Sequence, residues 1–125
     1  REMSKASRNL VGEPDALIFD AFVHKWAKLL NLQNWRLERG SKAAKNAMAS
    51  VEFDLPARLA VYRLGDFGSE AITPRSLEDT AIHELLHVLL LDLVLIASGK
   101  PTGEELEAAE HAVINVLEKL LREHA

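Results

Sequence analysis

Residues 81–97 read AIHELLHVLLLDLVLIA, a run of apolar side chains broken only by His83, Glu84, His87 and Asp92. A segment this apolar on every side is accommodated most simply as a central helix, covered by the rest of the fold. Its purely apolar part, residues 88–97 apart from Asp92, is too short and too interrupted to span a bilayer. Polar groups inside such a helix are costly to bury without partners. The interruptions are therefore the residues to explain.

The other elements follow from periodicity. Phe19, Phe22, Val23, Trp26, Leu29 and Leu30 recur at three- and four-residue spacing, which predicts a helix over residues 15–32 led in by Pro14. His24 lies off that stripe and is expected at the surface. Residues 35–38 and 51–55 alternate apolar with polar, and 59–64, stopped by Gly65 and Gly68, is a third candidate, which predicts three short strands in a small, mostly antiparallel sheet. Residues 42–50 are expected as the loop and lead-in to the second strand. Ser76 and Asp79 are spaced as a capping box for the central helix, which should end near Ala97 before Gly99 and Pro101. A last helix is expected from Thr102 or Gly103 to about Arg122, and residues 1–14 are expected as a loosely ordered arm. The fold class is α+β, a single domain over residues 1–125.

The 125 residues hold no cysteine, which excludes disulfides, thiol nucleophiles and cysteine-ligated zinc or iron–sulfur sites. A net charge of −4 speaks against a nucleic-acid binder, which needs a basic footprint. No basic-then-apolar leader opens the sequence, so a cytoplasmic location without membrane attachment is the expectation.

His83-Glu84-Leu85-Leu86-His87 is an H-E-x-x-H motif on the predicted central helix. Spacing of four sets both imidazoles on one face, one turn apart, where they can take two corners of a zinc tetrahedron. Glu84 flanks that point and is placed to take a proton from an activated water. Asp79, one turn before His83, is a candidate to orient its ring. A catalytic zinc usually has a third protein ligand. A short connection makes the last helix antiparallel to the central one, and its candidates are Glu107, Glu110 and His111. Glu110 falls within the apolar stripe of Leu106, Ala109, Val113, Val116, Leu117, Leu120 and Leu121 and is favoured, with His111 as the alternative.

HELLH, with a glutamate some twenty residues on in the next helix, resembles the gluzincin clan of zinc metallopeptidases. The order of elements and small size are similar to its minimal members, the minigluzincins and short phage-type metallopeptidases. The resemblance implies a zincin-like domain, Zn2+ held by His83, His87 and Glu110, Glu84 as general base, and a peptide or protein substrate. It also implies that an edge strand pairs with the extended substrate, for which 59–64 is preferred over 51–55. One departure is Ile114, where many gluzincins carry Asp or Asn four residues after the ligand glutamate; Asn115 follows His111 by four instead. Peptide deformylases need a cysteine ligand, and the metzincin pattern fails at Leu90 and Leu93.

The expected function is thus a zinc-dependent peptidase. The rivals are a non-catalytic module stabilised by zinc and a protein-interaction domain, and a homo-oligomer or partner protein is left open by the sequence.

Overall fold

A computed structural model of the chain describes residues 8–123. Residues 1–7 of the expected arm lie outside them. The rest of that arm is held: Asn9 donates its backbone N–H to Asp66 at 2.7 Å, and Phe67 N–H donates to the Asn9 carbonyl at 2.9 Å. Helix α1 spans Glu13–Leu29, with Pro14 in its first turn and Glu13 and Asp15 favourably placed at its positive end. Ala16, Phe19, Val23 and Ala27 form its buried stripe, while His24 is exposed. The chain turns out of α1 through Asn31 in the left-handed region, at φ 61°, a conformation that asparagine tolerates better than most residues.

Strands β1 (Arg36–Arg39), β2 (Ala49–Asp54) and β3 (Leu59–Leu64) form one sheet in the order β1-β3-β2. β2 and β3 are an antiparallel hairpin, but β1 runs parallel to β3, so the sheet is mixed rather than mostly antiparallel. The parallel pair exists because the 40–48 loop carries the chain from one sheet edge to the other. That loop passes so close to Gly65 that a Cβ there would collide with the Ala47 carbonyl oxygen. Tyr62 and Ala60 of the central strand are buried, and the Tyr62 ring lies 5.6 Å from that of Phe19. Burial pushes the Tyr62 phenol well above its ordinary pKa, and its hydroxyl donates to Asp20 at 2.7 Å. Tyr62 therefore belongs to the α1–sheet interface and not to a substrate cleft.

Helix α2 spans Pro74–Ser98. Its capping box is Thr73 with Ser76, not Ser76 with Asp79: Ser76 N–H donates to Thr73 Oγ1 at 3.1 Å and Thr73 N–H to Ser76 Oγ at 3.0 Å. Pro74 occupies the first helical turn, which makes the preceding threonine the cap. Leu77, Ala81, Leu85 and Val88 join Phe19, Val23 and Leu30 in the core. Trp26, half-buried on α1, donates its indole N–H to Glu78 at 2.7 Å and ties the two helices together.

Only the first half of α2 is central. Beyond Val88 no residue is fully buried, and Leu90, Val94 and Leu95 are exposed. By length and composition the 25-residue helix is apolar enough to cross a bilayer, which its ten-residue apolar run alone is not. Asp92 is largely exposed, with Arg58 Nη1 3.8 Å away. Helix α3 (Gly103–Glu123) starts with its own capping box, Thr102 with Glu105. It packs against α2 and buries none of its residues fully.

Candidate metal centre and cleft

The first half of α2 lies beside β2, and this contact makes the site. His83 and His87 project from one face of the helix with ring centroids 5.0 Å apart, and both are exposed. Glu84, between them in sequence, is 8% exposed. Burial raises its carboxyl pKa, and the two neighbouring histidines pull it partly back. A carboxyl held in that way suits proton transfer better than a fully solvated one.

Strand β2 supplies the opposite wall. Two adjoining pockets share Ala49, His83 and Glu84. One, of about 390 Å³, is completed by Ala47, Met48, Asp79 and Thr80. The other, of about 330 Å³, is completed by Ser50, Val51, Phe53 and His87. β2 is an edge strand, so one side of its backbone has no neighbour in the sheet. Gly65 N–H donates to the Met48 carbonyl at 2.7 Å, which fixes the alternation along the antiparallel pair. Ser50, Glu52 and Asp54 then turn their backbone groups toward β3, and Ala49, Val51 and Phe53 turn theirs outward. The preferred edge strand, 59–64, is the centre of the sheet; the strand beside the motif is β2. Ala47, Met48 and Ala49 fall in the expected loop and lead-in, and their part in the cleft has no signal in the sequence.

Asp79 lines the cleft next to His83 but makes no hydrogen bond to it; its nearest cation is Arg75 Nε at 4.0 Å. The residues of α2 that share a groove with α3 include Val88, Leu89, Asp92 and Ile96, on the side of the helix away from His83 and His87. Glu110 is exposed and lines a separate surface groove with Leu93, Glu104 and Glu107. Leu93 is six residues past His87, about 9 Å along the axis. The mirror position of the histidine pair across the α2–α3 turn is nearer 114–118 than 107–113, which is why counting from the turn misplaces the candidates. His111 is likewise exposed on α3. The structure thus brings together His83, Glu84, His87 and Asp79, and does not bring Glu110 or His111 to them. Among the described residues no group of three or more histidine and acidic side chains is arranged to hold a metal. The donor chemistry fits zinc at two corners, both imidazoles of one helix face, with an adjoining carboxylate.

Compared with family models, curated proteins and solved structures, the chain matches none.

Proposed function

We propose that the chain is a zinc-dependent peptidase acting at His83, Glu84 and His87. The observation that carries the reading is the placing of the H-E-x-x-H face of α2 against the open edge of β2, with Glu84 buried beside two exposed imidazoles. An extended peptide added to that edge would bond to the outward backbone groups of Ala49, Val51 and Phe53, which would carry a peptide carbonyl past the histidine pair. Zinc, when bound, supplies Lewis acidity that lowers the pKa of a water and polarises the carbonyl. Glu84 would take a proton from the attacking water as the water oxygen bonds to the carbonyl carbon, and would pass it to the amine as the C–N bond breaks. Glu110 is the third donor of this proposal on its place in the apolar pattern of the last helix and on the sequence resemblance. It would reach the pair only if α3 shifts across α2.

Glu84→Gln tests the reading. The variant should keep the histidine pair and its metal affinity while losing peptide hydrolysis; retained turnover would overturn the mechanism.

A second reading, a protein-interaction domain, is favoured by Val94 and Leu121, which are 58% and 71% exposed on the α2–α3 hairpin. A strictly monomeric protein that binds zinc would count against it.

A further inference from the structure

The two pockets that meet at His83 and Glu84 differ in chemistry, and the difference has a direction. Going from Met48 to Phe53, β2 runs the same way as α2 from Asp79 to His87. One end of the cleft is therefore walled by Ala47, Ala49, Thr80 and the unbranched Met48, with the carboxylate of Asp79. The other is walled by Val51 and Phe53 with Ser50 and the imidazole of His87, and has no carboxylate besides the shared Glu84.

Two carboxylates near the acidic end are taken up elsewhere. Glu52 on β2 is exposed and pairs with Arg63 at 3.0 Å. Glu78, one residue before Asp79, is taken by Trp26 and Lys25 toward α1. Only Arg75 comes near Asp79, at 4.0 Å and with its side chain 91% exposed, a loose contact that a ligand can displace at little cost. Asp79 is also one helical turn, about 6 Å, from His83, so it stands outside the reacting centre.

We propose that the cleft selects a peptide with polarity: a lysine or arginine beside Asp79, and an apolar side chain beside Val51 and Phe53. This deepens the peptidase reading and rests on the cleft that reading uses. Ala47, Ala49 and Thr80 leave room at the first end for a long cationic stem, along which the flexible Met48 can pack, and Asp79 is the carboxylate there besides the shared Glu84 to meet its head. The apolar end offers an aromatic and a branched surface without a counter-charge, which penalises a buried ion. Asp79 is on this account a specificity residue and has no part in the bond-breaking steps.

The test uses the full chain carrying Glu84→Gln, so that binding is read without cleavage. Two fluorescent peptides, identical except for Lys or Glu at the position meant for the Asp79 pocket, are titrated with zinc present and followed by anisotropy. The Lys peptide should bind more tightly. Adding Asp79→Asn should weaken it about two- to fivefold, the range of an exposed ion pair. Asp79→Lys should reverse the preference, and all differences should shrink in high salt. Equal binding of both peptides, no binding of either, or a preference unmoved by Asp79→Asn and Asp79→Lys would overturn the proposal. Cleavage by the wild-type chain is read separately: Lys-selective binding without any cleavage would fail the peptidase reading and leave the polarity of the cleft standing.

Discussion

His83 and His87 stand 5.0 Å apart, ring centroid to ring centroid, on the face of α2 that borders β2. Both are exposed, so their replacement should act on metal binding and hardly on folding. His83→Ala and His87→Ala should each lower zinc content per chain from about one to near zero after dialysis, while Tm measured without metal moves little. Elemental analysis with a thermal melt checks both. Zinc retained in the two variants would remove the metal centre from this face of α2.

The third donor is tested on α3. Glu110→Ala should reduce zinc affinity at least tenfold if Glu110 completes the site, whereas His111→Ala should not. Because Glu110 lies beside Leu93, its engagement would also slow hydrogen exchange along α3 when zinc is added. Zinc affinity unchanged in both variants would mean that neither Glu110 nor His111 is a ligand.

Elements and their order were legible because each rests on local rules. The Phe19–Val23 stripe, the alternation at 51–55 and the Gly99–Pro101 stop read directly as helix, strand and end. Pairing was not legible, because the alternation of β1 is the same whether its neighbour is parallel or antiparallel. A clue to strand order was present: 59–64 is the more apolar run, as suits a strand flanked on both sides, and β2 carries exposed Glu52 and Asp54, as suits an edge. The Asp20–Tyr62–Arg39 cluster joins residues far apart in sequence, with Arg39 Nε 3.1 Å from Asp20, and no spacing announces it. For the site, H-E-x-x-H was legible as a helical face. Which strand it faces, and which side of α2 the last helix takes, depend on packing.

Gly65 should tolerate no side chain. Its missing Cβ makes room for the Ala47 carbonyl and for Ala44 beneath the crossing loop, and those contacts involve backbone that cannot swing aside. Gly65→Ala should cost about 1–3 kcal/mol, the range for forced overpacking, seen as a lower urea midpoint at unchanged slope. Since the 40–48 loop leads into Met48 and Ala49, the same variant should disturb the wall of the cleft. Unchanged stability would mean that the loop does not pass so close.

Leu77 and Leu121 are the same residue type at opposite extremes, 0% and 71% exposed. Leu77→Ala empties a site in the α1–α2 core and should cost about 2–5 kcal/mol. Leu121→Ala on α3 should stay within about 0.5 kcal/mol in a monomer. A large loss at Leu121 with stability that depends on protein concentration would instead show that α3 is covered by another chain.

Glu78 sets part of the acid limit of the fold. Its carboxyl pKa is lowered from 4.5, first by the hydrogen bond from Trp26 and then by that from Lys25. A carboxyl depressed in the folded state binds fewer protons there than in the unfolded chain, so stability rises with pH through that window. The contribution is therefore complete above about pH 4.5 and is lost as pH falls through the lowered folded value. Glu78→Gln removes the titration but keeps an acceptor for the Trp26 indole. Its melting temperature should sit below wild type at pH 7, and the gap should narrow as the pH drops below about 4. Trp26 reports the contact directly, so its emission in the folded wild type should shift across the same interval and stay level in the variant. Parallel pH profiles for the two proteins would show that the Trp26–Glu78 bond does not couple folding to protons.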